Sequence, residues 1–493
     1  MTKQESVIII GGGLSGLECG YILAKNGMRV TVVEAGHNLG GSIQSFVRKG
    51  TQFDTGFHYV GALGEGESLN RLFRYFDLMG LPWVKLDEEC FDKVLIGDEC
   101  FDFANGYERF VDTLCQNFPR YRAELTKYVS QLKTIGDHAL DGLMGATTSF
   151  SQEVFSRSAY KHLNSMFDNP KLVQVLSGTS QKVELMPDTL PLYLFGVMND
   201  SFIRSAWRLR GAGSQIADHL KASIEAMGGE VRLGAKATEI LCNAGKAEGV
   251  VINGEERLFA DWVISSMHPA ATLALIAEEA NLRRSYRNRL TALENTAGAF
   301  TVNIRLKENA MLYRNHNIYL HREGSDVWYP LTQEVEHLMV HFAVPQNGGR
   351  YADSIDLLTL MNPRESAAWC RLRNMGEREE YNTLKQQKAE ECIAFARRVL
   401  PEIESAIDGV YTSSPATYER WVGIPNGSAY GIRKDFNRPM QTLISPKTPI
   451  ANLLLTGQNL NLHGVLGVSI TSFYTCAEIL GMDRITEELR NYY

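Results

Sequence analysis

Continuous apolar runs, not alternating ones, mark the strands at the two ends of this 493-residue chain. Val7 to Ile10 carry no polar position, as a strand buried on both faces requires. Glycines follow, then a segment that predicts a helix over 17–25, then a second, mostly apolar strand from Arg29 to Val33 closed by Glu34. "GGEVRLGAKATEILCNAGKAEGVVINGEERLFADWVISS" reads as a strand meander ending in another apolar strand. Near the C-terminus, Leu453 to Thr456 predict a strand, followed by Gly457, a loop holding Gly464 and Gly467, and a helix to about Leu480. "TLPLYLFGVM", Thr189 to Met198, reads either as a core helix or as the wall of a hydrophobic tunnel. "HLMVHFAV" is compatible with a sheet flooring a cavity. "FDTGFHYVG", Phe53 to Gly61, predicts a short strand. Period-two alternation puts Phe53, Thr55, Phe57 and Tyr59 on one face and Asp54, Gly56 and His58 on the other.

The first strand, its glycines and its helix carry the clearest chemistry. Gly11, Gly13 and Gly16 have GxGxxG spacing, with Leu14 and Ser15 inside the turn. Such glycines permit a tight turn and close approach of backbone to pyrophosphate, and the helix N-terminus adds free N–H groups and a positive dipole end. A lone fingerprint is weak evidence; here strand, glycines, helix, strand and acid fall in the required order. Glu34 is placed to accept hydrogen bonds from an adenosine ribose, next to Ala35. Its charge repels a 2′-phosphate, so FAD or NAD fits better than NADP. In "HNLGGS", Gly40, Gly41 and Ser42 form a second loop able to wrap a phosphate. The late unit, with Gly457, Gln458, Gly464, Val465 and Gly467, resembles the strand–glycine–helix unit of flavin enzymes of the two-dinucleotide-fold type, which implies a second helix N-terminus that favours the negative charge of a reduced flavin. Together the two units favour FAD over NAD. "GAGSQI" gives only an incomplete second fingerprint, so a hydride donor is expected to be a diffusible partner or NAD(P) in the same cavity.

Composition narrows the class. Hydrophobic content of 44% and charged content of 22% suit a globular protein of two or three domains. The net charge of −7 argues against a nucleic-acid partner. Eight cysteines without a CxxC pair or ligand-like spacing read as reduced thiols, with no metal site. The opening MTKQES does not resemble a secretory signal, so the protein is expected in the cytoplasm. The run Val7 to Ala24 is rejected as a membrane span because it holds Glu18 and five glycines. Peripheral contact with the inner face of a membrane stays open. "NLRRSYRNRL", Asn281 to Leu290, reads as a solvated helix face or as a membrane-surface or anion-binding patch.

These motifs resemble the phytoene desaturase-type flavoproteins of the amine oxidase superfamily over nearly the whole chain. The carrying stretches are the fingerprint, "LGGS", "FDTGFHYVG", "ANGYERFVDTLCQNFP", "RGAGSQIADHLKASIEAMGGEVRLGAKATEI", "WVGIPNGSAYG" and "LLLTGQNLNLHGVLG". Carotenoid desaturases usually have Gly-Pro-Ser/Thr where this chain has Gly56-Phe57-His58, which shifts the likeness to the retinol saturase and carotenoid isomerase branch. The resemblance implies an α/β fold: a discontinuous Rossmann-like FAD-binding domain with an inserted α+β substrate domain. The first is placed at residues 1–90, 205–275 and 436–493, the second at 91–204 and 276–435. It also implies non-covalent FAD, adenine contacts from the backbone at Ala237, a ribityl contact at Gln458, and a polyene, prenoid or related lipid as substrate.

Exchanging hydrogen across a C=C bond needs a hydride and a proton, and the proton step wants a titratable group. His58, Tyr59, Tyr430 and His463 are the candidates. Each has a plainer reading: a satisfied core histidine, a core tyrosine turned away from Gly56, a packed loop tyrosine, a histidine bonded to backbone. If Gly56 lets the flavin ring approach, His58 lies beside it. Two other readings compete. One is a flavin amine or amino-acid oxidase, against which no aromatic pair stands out as framing the flavin. The other is a non-catalytic flavoprotein that carries a lipid.

Overall fold

Five strands drawn from three distant stretches of chain form one parallel sheet. The computed structural model describes residues 4–277, 282–328 and 331–492. Strand order is Glu230–Arg232, Arg29–Val33, Ser6–Ile10, Trp262–Ser265 and Leu453–Leu455, every pair parallel. The first strand shows why its sequence is unbroken by polar residues. Val7 and Ile9 enter one core with Leu17, Ile22 and Val32, while Ile8 and Ile10 enter another with Val33, Val263 and Leu453. Side chains alternate between faces, and each buried aliphatic contributes about 1.5–3 kcal/mol. Helices Leu14–Lys25, Ser214–Ala226 and Gly464–Leu480 pack together. The meander is a three-stranded antiparallel sheet, Ala237–Asn243, Lys246–Ile252 and Glu256–Phe259, which shares the core of Ile8 and Ile10.

Two helix starts differ from expectation. The first helix begins at Leu14, because Gly13 takes the cap position with extended backbone, so Gly16 lies in the first turn. The late helix begins at Gly464, whose φ of +74° is left-handed and turns the chain into the helix, so Gly467 is helical and not in a preceding loop. Glycine reads as a helix breaker in sequence; here it permits close packing, since a Cβ at Gly467 would run into Leu462. Glu18 is fully buried where these two helices meet. Ser469 Oγ donates to Glu18 Oε1 at 2.5 Å and Ser472 Oγ to Oε2 at 2.9 Å, while burial pushes the carboxyl up to about 8.

A seven-stranded mixed sheet faces the dinucleotide-type unit. Its order is Ile407–Ser413, Gly298–Leu306, Ser354–Met361, His337–Phe342, Asn317–His321, Asp92–Ile96 and Glu99–Phe103. Only the pairing of Asn317–His321 with Asp92–Ile96 is parallel. In "HLMVHFAV", Leu338, Val340 and Phe342 enter the core beneath this sheet, and Met339 joins a different core. "TLPLYLFGVM" lies on the buried helix Leu192–Arg204, one side of which walls a cavity, so both readings of it apply.

"FDTGFHYVG" is not one strand. The ladder with Ser45–Arg48 ends at Asp54, the chain bends through 55–59, and Val60–Gly61 pair with Ala206 and Trp207. Strict alternation therefore fails, and Gly56, Phe57, His58 and Tyr59 all line the same cavity. Among the described residues no helix is long and apolar enough to cross a membrane, and the eight cysteines are free. The arginine run forms the helix Arg284–Thr291; Arg283 and Arg284 are exposed, while Arg287 donates to the carbonyls of Leu273 and Ile276. Asn281 lies outside the described residues.

Candidate active site

One cavity of about 810 Å³ is lined by residues of both sheets, within the about 300–1,000 Å³ usual for cofactor and ligand sites. One end is built from backbone. Gly11 has φ +98° and Gly40 φ +106°, conformations that side chains rarely adopt. Gly40 N–H donates to the Gly12 carbonyl at 2.8 Å, which holds the two glycine loops together. No side chain caps either the Leu14 or the Gly464 helix, so both N-termini keep N–H groups for a ligand. Glu34 accepts from Gly12 N–H at 2.8 Å and Gly36 N–H at 2.7 Å, which fixes the acid at the cavity edge. Each carboxylate oxygen retains acceptor capacity.

Most of the expected cofactor residues meet here. Gly11, Gly13, Leu14, Ser15, Glu34, Ala35, Gly40, Gly41, Ser42, Gly56, His58, Ala237, Gly457, Gln458, Gly464, Val465 and Gly467 all line the cavity. Gly16 does not. A Cβ there would run into the Gly11 carbonyl oxygen, so its glycine serves the packing of strand against helix. These features fit a dinucleotide: side-chain-free backbone, two uncapped helix ends, and an acid after the second strand.

The other end is apolar, walled by Leu194, Val197, Met198, Phe202, Met339 and Leu462. Between the two ends stand the four candidate proton-handling groups. Tyr59 is turned into the cavity wall and not away from it: its hydroxyl donates to Asp92 Oδ2 at 2.8 Å and lies 2.6 Å from the Tyr319 hydroxyl. Tyr430 donates to the Gln181 carbonyl, and its ring lies 4.5 Å from that of His463. His463 Nε2 lies 3.2 Å from the Lys182 carbonyl oxygen, and burial lowers its pKa to about 4. His58 has both ring nitrogens buried without a hydrogen-bond partner. Burial first, then His341, lower it to about 4, against the opposite pull of Asp356. With Tyr59, Tyr319, Tyr430 and Trp421 all lining the cavity, its wall is more aromatic than the sequence suggested.

Sequence reasoning missed a buried ionic node. Lys182 Nζ lies 2.7 Å from Asp92 Oδ2, and Asn317 Nδ2 donates to Asp92 Oδ1 at 2.8 Å. Lys182 also lies 4.2 Å from the centre of the Phe202 ring. Lysine and aspartate 90 positions apart leave no local signal. His341 and Asp356 were missed as well; two histidines spaced four apart in the apolar "HLMVHF" are the one signal that could have pointed to a polar side on that strand. Among the described lining residues, the only acid is Glu34, while Lys182, Lys236 and Arg420 are basic.

The comparisons agree with this geometry. A family model described as an NAD(P)-binding Rossmann-like domain matches residues 9–76. The chain is 26% identical to the all-trans-retinol 13,14-reductase of Danio rerio, over 97% of this chain and 86% of that one. It is 24% identical to the phytoene desaturase of Neurospora crassa, over 65% of this chain and 58% of that one. The solved cyclohexylamine oxidase of Brevibacterium oxydans shares the fold, with a TM-score of 0.62 at 15% identity over 99% of this chain and 100% of that one. In sequence the chain is thus similar to a retinol reductase and a phytoene desaturase, and in fold to a solved amine oxidase.

Proposed function

We propose that the protein is an FAD-dependent oxidoreductase that exchanges hydrogen across a C=C bond of an apolar polyene or related lipid. The observation that carries this is the cavity itself, which joins a dinucleotide-type cradle to an apolar chamber. The glycine loops and helix N-termini hold the diphosphate, Glu34 the ribose, and Ala237 and Gln458 flank the remainder. FAD, when bound non-covalently there, supplies two-electron redox chemistry. The chain's own residues do the rest: apolar walls position the polyene and exclude water, and His58 handles the proton.

Residues 1–90, 205–275 and 436–493 form the FAD unit in this reading, and 91–204 with 276–435 the substrate unit. The division is supported by the strands: all five of the parallel sheet come from the first set and all seven of the mixed sheet from the second. A cytoplasmic enzyme touching the inner face of a membrane, with NAD(P) or another diffusible electron partner, completes the reading. Exposed Arg420 and Trp421 at the cavity edge support an entry from a lipid surface.

An amine oxidase reading has the fold in its favour. The lining argues against it, because a protonated amine would meet Lys182 and no acid in the apolar chamber. The test is direct. The purified protein is reduced anaerobically and offered all-trans-retinol or a carotenoid, and in a separate aerobic assay the oxidised protein is offered a panel of amines, with flavin absorbance, products and peroxide followed. Reoxidation by a polyene with a hydrogenated product supports the reading; peroxide release with amines and inert polyenes overturns it.

A further inference from the structure

We propose that His58, His341 and Asp356 form a proton relay joining the large cavity to solvent through a second, smaller cavity. The inference rests on the reading above, in which hydrogen is exchanged at a substrate carbon near His58. The small cavity has a volume of about 30 Å³ and is lined by Asp54, His58, Arg208, His341, Asp356 and the exposed Gln346, among others. A water needs about 10–15 Å³ by this measure, plus polar partners, so the space suits one or two. His58 lines both cavities.

The polar atoms around this space are uncommitted where a relay needs them. Both ring nitrogens of His58 and Nε2 of His341 are buried and unpartnered, although the His58 backbone lies against His341. The two rings are 5.0 Å apart. His341 Nδ1 lies 3.4 Å from Asp356 Oδ2, and Asn303 Nδ2 donates to Asp356 Oδ1 at 2.6 Å. Asp54 accepts from Gly213 N–H at 2.8 Å. Burial lowers both histidines, which favours neutral rings, and raises both acids. A neutral imidazole gives a proton from one nitrogen while taking one at the other.

The step balances. One His58 nitrogen releases a proton to the substrate carbon, and the other receives one from water or His341, which is replenished from solvent. The hydride for the neighbouring carbon comes from the reduced dinucleotide of the proposed reaction. The ligand atoms of His58, His341 and Asp356 lie within 4.8 Å of one another, which would also suit a metal ion. Arg208, anchored by Asn317 and the Arg314 carbonyl, adds a fixed positive charge to this cavity and favours the relay.

The test uses wild type, His341→Phe, and Ala343→Leu, which narrows the small cavity from a half-buried wall position. Without substrate, deuterium exchange at the His58 ring C2 reports solvent access. It should be faster than at His321, which is buried and bonded to the Gly178 carbonyl, and should slow in Ala343→Leu. With a polyene, both variants should lose on the order of 10²-fold in kcat with little change in KM, and show a larger solvent isotope effect. His58 exchange as slow as at His321, turnover within about twofold of wild type in both variants with the same isotope effect, or a stoichiometric bound metal would each overturn the relay. Inert polyenes with wild type would overturn the catalytic reading, while the exchange experiment still decides whether His58 has a path to solvent.

Discussion

Lys182→Met tests whether the ionic node beside the cavity is built as described. The Lys182 and Asp92 side chains are 6% and 0% exposed, and their charged atoms are 2.7 Å apart. Methionine keeps the apolar stem against Phe202 and removes the charge. Asp92 then retains two neutral donors, Tyr59 and Asn317, for a carboxylate with no access to water. Removing one partner of a buried pair costs about 3–5 kcal/mol, because an uncompensated charge stays desolvated. Equilibrium urea denaturation reads this out. With a slope near ~3 kcal/mol/M, the midpoint should fall by about 1–1.7 M at pH 8. Adding Asp92→Asn, which keeps an acceptor for Tyr59, should restore at least about half of it. A midpoint shift below about 0.3 M, or a double variant no better than the single one, would refute the reasoning.

Three further expectations follow from the same structure. Gly16→Ala drives a Cβ into the Gly11 carbonyl oxygen, so the purified variant should lose most of its bound flavin absorbance relative to wild type. Stability should drop as pH falls: His58, His337 and His463 are lowered to about 4 and His321 to about 3 by burial. Folded values below the unfolded 6.5 mean that the unfolded chain binds more protons in between, so their contribution is complete above about pH 6.5 and lost towards pH 4. It amounts in full to about 3 kcal/mol for each ring lowered to about 4 and about 5 kcal/mol for His321, and urea midpoints at pH 7 and 5 measure the part gained between those values. Glu18 has the opposite sign. Its folded value, raised to about 8 by burial, gives stability that is full below about 4.5 and lost as pH rises through 8. Glu18→Gln should therefore match wild type near pH 4.5 and exceed it increasingly as pH rises towards 8 in thermal unfolding.

Local rules succeeded where neighbours in sequence are neighbours in space. The apolar run Val7–Ile10, the glycines behind it and Glu34 fall within one βαβ unit, and that local arrangement was legible from spacing. The same rules misplaced Gly467, because a glycine inside a helix is explained by what packs against it, and Leu462 is outside that helix. They also carried the strand of "FDTGFHYVG" past Asp54. Alternation assumes a continuous ladder, and the ladder partner Ser45–Arg48 ends there. Tyr59 consequently faces Asp92 and Tyr319, a position that period two assigns to the opposite face.

The amino-acid order alone was enough for the fold class and the dinucleotide cradle, because both rest on short-range backbone geometry: strand period, a tight glycine turn, a helix end. Only the tertiary structure decided the chemistry of the chamber. Lys182 meets Asp92, and His58 meets His341 and Asp356, across separations of 90 to nearly 300 residues. Such pairs are set by how the seven-stranded sheet is laid over the parallel one. Burial then shifts their protonation by amounts that no residue type carries on its own.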